Sequence, residues 1–162
     1  MVSTPLANPG VRVPPPLLFV VGFVVGWLIH GRVQPISLVH GTGVAAAALE
    51  LLGIVIVLGG FALMLWGVVT FRRADTALLP TRPASRLVIA GPYRFTRNPM
   101  YAGMTLVYLG GVALVNSLWP LLVLPIVLVL LMRLVIQREE RYLTDAFGAE
   151  YTAYQAQVGR WF

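Results

Sequence analysis

In a chain that is 58% hydrophobic and only 11% charged, two short stretches hold most of the side chains able to do chemistry. The first is Ser85-Arg86-Leu87-Val88-Ile89-Ala90-Gly91-Pro92-Tyr93-Arg94-Phe95-Thr96-Arg97-Asn98-Pro99-Met100-Tyr101-Ala102-Gly103. Gly91-Pro92 marks a turn. Pro99 suits the first turn of a helix, where its missing N–H costs nothing, and Asn98 then takes the N-cap. Arg94 and Arg97 stand where helix amides already favour an anion, and Tyr93 and Tyr101 add aromatic faces with polar tips. Such a segment can cradle a ligand with an anionic group and a flat or cationic part. It can equally anchor at a membrane interface, arginines on phosphates and tyrosines in the aromatic belt. The residues alone leave both readings open.

The second stretch runs from Ile136 through Gln137-Arg138-Glu139-Glu140-Arg141-Tyr142-Leu143-Thr144-Asp145-Ala146-Phe147-Gly148-Ala149-Glu150-Tyr151. Ile136, Leu143 and Phe147 define an apolar helical face. Glu139 and Glu140 flank its midline, and carboxylates turned toward a packed interior need partners. The loop arginines can supply them in a structural network. A carboxylate there can also hold a cationic or hydroxyl-rich ligand. Tyr151, Tyr154 and Val158 read as core contacts of a short terminal helix.

Elsewhere little chemistry is available. The chain has no cysteine, hence no disulfide, thiolate metal site or thiol nucleophile, and no metal ligand set is expected. His30 and His40 lie apart from both stretches and read as solvated. Glu50 is the main ionisable group inside an apolar segment, a functional candidate by default but near enough to a helix end to snorkel.

Four apolar segments must position the two polar stretches, at about 15–29, 42–71, 99–115 and 118–135. No soluble fold of 162 residues could hide so much apolar surface. The expected fold is therefore all-α: a single membrane domain over 1–162 with about four transmembrane helices and a short C-terminal helical region. An irregular Pro-rich lead (1–14) precedes it, with a polar loop at 72–98 and a tail at 136–162. The second segment would reach ~45 Å as a helix, so it must tilt or protrude. Residues 116–120 allow only a tight hairpin. Arg12 ahead of the first segment looks like a signal-peptide start, but Trp27-Leu28-Ile29-His30-Gly31-Arg32 is no cleavage site, so a retained helix is expected. Gly22 and Gly26, and Gly53, Gly60 and Gly67 at heptad spacing, read as helix-packing surfaces.

All the basic residues are arginine. Arg72, Arg73, Arg82, Arg86, Arg94 and Arg97 lie in one loop, Arg133, Arg138, Arg141 and Arg160 in or beside the tail, and only Arg32 on the other side. This asymmetry puts both termini and the loop in the cytoplasm. The net charge of +6 flanks apolar spans, which favours anionic lipid over nucleic acid as its counterpart.

Taken together, Gly91-Pro92-Tyr93-Arg94, Arg97-Asn98-Pro99-Met100-Tyr101, Glu139-Glu140 with Leu143, and Phe147-Gly148-Ala149-Glu150-Tyr151 resemble the isoprenylcysteine carboxyl methyltransferase and phospholipid methyltransferase group. The resemblance covers roughly 85–162. It implies an S-adenosylmethionine-dependent enzyme, of the type found in the bacterial inner membrane. Its cofactor would sit between the cytoplasmic loop and tail, and a lipid or lipophilic acceptor would enter from the bilayer. Carried over residue by residue, cofactor contacts fall on Ser85, Arg86, Leu87, Val88, Tyr93, Asn98, Pro99, Met100, Tyr101 and Glu139, with Arg97 as a further anion partner. Glu139 and Glu140 are the catalytic candidates. The family usually has histidine where Asn98 stands, so a protonated role there is not expected. Val135 replaces an arginine that serves prenylcysteine substrates in the eukaryotic enzymes, so that specificity is not expected either. A similar motif occurs in NADPH-dependent sterol reductases, which place an acidic residue where this chain has Met104. A non-catalytic membrane scaffold is the remaining alternative.

Overall fold

The structure, a computed structural model, describes residues 10–74 and 86–161, so Ser85, Arg82 and most of the lead lie outside it. The described residues are helical, with no strand among them. The order is α1 (Pro15–Arg32), α2 (Val44–Arg73), a 3₁₀ turn (Gly91–Arg94), α3 (Pro99–Leu114), α4 (Leu118–Leu131), a π-helical turn (Met132–Ile136), α5 (Gln137–Phe147) and α6 (Ala149–Gln157). α1, α2 and the continuous rod Leu118–Phe147 are long and apolar enough to cross a membrane, while α3 is a shorter apolar helix. Its 16 residues rise ~24 Å, short of a ~30 Å hydrocarbon core.

Glycines set how closely the helices approach. On α2, Gly53, Gly60 and Gly67 are buried, as their heptad spacing predicts. A Cβ on Gly60 would come within 2.6 Å of the Gly103 carbonyl oxygen on α3, and one on Gly53 within 3.0 Å of that of Gly110. Small residues on both sides thus let the two backbones touch. On α1, Gly26 lets the Pro120 backbone of α4 come close, and Gly22 seats the Val127 side chain. α3 lies between these neighbours, packing on α2 by one face and on α1 by another, where Phe19 and Phe23 set their edges on Tyr108. The core joins Phe19, Tyr108, Val112, Leu124, Val127, Leu131, Val135 and Ile136. The outward faces of α1 and α2 expose Val20, Leu51, Val55, Leu58 and Leu65, as surfaces facing lipid should.

The opposite end to the polar loop is clamped by side chains. Asn116, at φ 46°, accepts from the amides of Leu38 and Val39 and donates to the Val39 carbonyl. Trp119 donates to the Gln34 carbonyl. His30 is not merely solvated: its Nδ1 lies 2.9 Å from the Oγ of fully buried Ser117. A hydroxyl buried in this tight hairpin needs a partner, and the end of α1 supplies it.

The fourth span and the tail form one rod rather than a span and a separate helix. Leu124, Val127, Leu131 and Val135 bury one stripe of it. Glu139, four residues beyond Val135, continues that stripe just where the sequence turns polar. The π-helical turn ends at Ile136, three residues before it. Such turns occur disproportionately at functional sites.

Candidate functional site

The site is assembled where α3 begins, where the α4–α5 rod leaves its apolar section, and where α6 and the chain end fold back. Gly91 opens the 3₁₀ turn at φ 58°, a conformation that only glycine adopts cheaply. The turn buries Pro92 and Tyr93. Tyr93 packs its ring edge-on to Phe71 of α2 at 5.1 Å, and its carbonyl accepts a 2.6 Å bond from the Tyr154 hydroxyl of α6. Pro99 starts α3 as expected. Gly148, at φ 51°, turns the chain between α5 and α6, which brings buried Tyr151 and Tyr154 back over the site.

The two adjacent glutamates take different partners. Glu139 turns to α3, where the Tyr101 hydroxyl donates to its Oε1 at 2.7 Å. Burial raises the carboxyl pKa of Glu139 above its ordinary value; the Tyr101 bond opposes the rise and neighbouring Glu140 adds to it. Glu140 turns the other way. Arg160 grips it through Nε at 2.9 Å and Nη2 at 2.6 Å, and Arg97 Nη1 stands 3.1 Å from its Oε1. The network expected from sequence therefore forms at Glu140, with one arginine from the loop, Arg97, and one from the tail, Arg160. Glu140 also borders an open groove of about 480 Å³ lined by Gln137, Arg141, Thr144, Asp145 and Gln155.

Arg97 is mostly buried and also engages Tyr151. Its Nε is buried with no hydrogen-bond partner among the described residues. Burial raises the hydroxyl pKa of Tyr151, abetted by Glu140 and opposed by Arg97. Burial also lifts the Tyr154 hydroxyl to about 12 and raises that of Tyr93.

Asn98 corrects one expectation. It occupies the N-cap position of α3, but its side chain makes no capping bond. Instead its Nδ2 donates to the Arg160 carbonyl at 3.0 Å, which the returning chain end places beside it. The first amides of α3 are thus left without a side-chain cap. Other expected residues separate by depth. Val88 and Pro99 are buried, Leu87, Met100 and Tyr101 half-buried, and Arg86 exposed. The buried α5 residue is Tyr142, with Leu143 and Phe147 only half-buried, so the inward face is rotated from the one read in sequence. The π-helical turn ahead of α5 breaks the simple helical count.

Three participants were not singled out for the site from sequence. Thr96, 1% exposed, donates from Oγ1 to the Arg160 carbonyl and accepts from the Asn98 amide. Arg160 bridges loop and tail from near the chain end. The Tyr154 hydroxyl does more than a core contact. No local spacing announces the bonds of Thr96 to the Arg160 carbonyl and of Tyr154 to the Tyr93 carbonyl, because each spans about 60 residues of chain.

Comparison with known proteins places this geometry in context. The family model described as phospholipid methyltransferase matches residues 49–150, which run from α2 into α6 and include the first polar stretch and all of the second but Tyr151. No curated protein matches the chain, and no solved structure does.

Proposed function

This chain belongs to the phospholipid methyltransferase family, and we propose that it transfers a methyl group from S-adenosylmethionine to a lipophilic acceptor that reaches the site from the bilayer. The observation that carries the reading is the Tyr101–Glu139 pair, a carboxylate drawn out of water beside the start of α3 and held at 2.7 Å.

The residues fit such a cofactor in three respects. Glu139 offers a desolvated anion for its ammonium. The buried Arg97 Nε and the uncapped amides of α3 offer donors for its carboxylate. The rings of Tyr101 and Tyr93 offer aromatic faces to a cation. When bound, the cofactor would supply an electrophilic methyl carried on a sulfonium. Methyl transfer is an in-line displacement, so the residues act chiefly by positioning. Arg97, braced by Glu140, fixes the donor side. Tyr101 fixes the orientation of Glu139. A carboxylate acceptor needs no base. An amine acceptor does, and Glu139 is the carboxylate left for it, because Glu140 is held by two arginines.

The arginine asymmetry supports cytoplasmic termini, with the site on the cytoplasmic side of the membrane. The apolar faces of α1 and α2 support lateral entry of the acceptor. Calorimetric titration of the purified protein with S-adenosylhomocysteine and with NADPH tests the proposal. Binding of the first and not the second is expected. Binding of NADPH alone would replace this reading with a reductase, and binding of neither with a scaffold. Membrane extracts incubated with methyl-labelled cofactor should place label in the lipid fraction; label only in water-soluble products would count against lateral entry.

A further inference from the structure

Residues 158–161 lie outside the stretch that matches the family, yet several bonds tie them into the site. After α6 the chain leaves helical geometry at Val158 (φ −122°, ψ 126°). It then crosses the segment that leads into α3. The Gly159 carbonyl accepts from the Arg97 amide at 3.0 Å. The Arg160 carbonyl accepts from Thr96 Oγ1 at 3.1 Å and from Asn98 Nδ2 at 3.0 Å. The Arg160 guanidinium grips Glu140 with two bonds. Trp161 packs against the core cluster.

We propose that residues 158–161 form a strap that closes the site, with Arg160 as its positioning residue. Arg160 acts through others. Its carbonyl ties down Thr96 and Asn98, and its guanidinium holds Glu140 against Arg97. This one residue therefore locks the segment before α3 to helix α5, the two elements that carry Arg97 and Glu139. Asn98 has the corresponding role of a strap anchor, and a neutral amide suits it, since it must donate to a carbonyl. The strap is built to open. Arg160 is more than a third exposed, so its bonds to Glu140 compete with water and can be exchanged during ligand entry and release. This inference rests on the cofactor reading above and assigns the strap to that same ligand.

The test uses the full chain in nanodiscs, with S-adenosylhomocysteine as probe, and the variants Arg160→Ala, Arg160→Lys and Asn98→Ala. Arg160→Ala should weaken probe affinity roughly tenfold, the loss expected of a charge-assisted pair partly screened by water. The change should appear mainly as faster probe dissociation. Arg160→Lys keeps the charge without the two-pronged geometry and should recover part of the residence time. Amide hydrogen exchange supplies a readout that does not depend on the probe. The Arg97 amide, bonded to Gly159, should exchange faster in Arg160→Ala and Asn98→Ala than in the parent, and probe should slow it in the parent. Unchanged dissociation together with unchanged Arg97 exchange in Arg160→Ala would overturn the strap. If Arg160→Ala fails to fold, Asn98→Ala, which leaves every charge in place, decides by the same two measurements. If the parent binds no probe, the cofactor reading falls and the strap's role falls with it, whereas parent binding with no effect of any variant refutes the strap alone.

Discussion

Replacing Glu139 by glutamine preserves shape and removes one charge. The carbonyl oxygen of the new side chain can still accept the Tyr101 hydroxyl, which now donates to Oε1 at 2.7 Å. What is lost is the anion. Truncating one side of a desolvated charge pair costs ~2–5 kcal/mol, whereas a surface pair is worth ~0–1 kcal/mol. Glu139 keeps some exposure and its bond to Tyr101, so the low end applies: about 2 kcal/mol, or roughly thirtyfold in cofactor affinity. Stability should move the other way. Burial raises the Glu139 pKa in the folded protein above its ordinary 4.5. The ligand-free fold therefore binds this proton more tightly than the unfolded chain does. The stabilisation is complete below the unfolded pKa and is lost as pH rises through the folded one. Glutamine removes that loss, so the variant should match or exceed the parent in Tm at neutral pH, and its Tm should vary less above pH 4.5. A bound cation favours the ionised form, so cofactor affinity in the parent should rise with pH over the same window. Glu140→Gln is the control. It weakens two arginine contacts, so its main cost should be in Tm, with a smaller effect on binding that acts through the strap. The assay is calorimetric titration of each variant, with thermal unfolding measured across pH. A Glu139→Gln protein that binds within threefold of the parent would refute a cation at this carboxylate. Loss confined to Glu140→Gln would move the role one residue along.

Tyr101→Phe should lower cofactor affinity by about 1–2 kcal/mol, because it removes one bond to a charged group, and titration measures it directly. It should also raise the Glu139 pKa further, since the Tyr101 bond now lowers it, shifting the pH dependence of binding upward. Gly60→Ala should destabilise the α2–α3 pair by about 1–3 kcal/mol, because its Cβ would press on the Gly103 carbonyl, whereas Gly59→Ala, with open space around it, should not; thermal unfolding in detergent separates the two. Asn116→Ala removes three bonds of the clamp and should cost about 1–3 kcal/mol in stability with cofactor affinity unchanged, a dissociation that the same two assays test. Reporter fusions after residue 74 and at the C-terminus should both report the cytoplasm, and an external position for either would reverse the orientation.

Periodicity and composition determined the spans and the packing glycines, because lipid leaves a chain few solutions. Apolar runs must become helices, and small residues at heptad spacing must face a neighbour. Pro99 at the head of α3 and the glycines at 91 and 148 are equally local, since each answers a backbone need that neighbouring residues define. The family was legible for the same reason, in short motifs that keep their spacing wherever they occur. Only the tertiary structure decided how two adjacent glutamates divide their roles. Neighbouring residues on a helix point about 100° apart, and which direction meets Tyr101 and which meets Arg97 depends on the π-helical turn ahead of them and on how α3 crosses the rod. Only the fold showed, likewise, that Asn98 abandons its cap for the Arg160 carbonyl. A cap is a bond between near neighbours, and the bond that displaced it reaches a residue 62 positions away, where no local pattern of residues can register it.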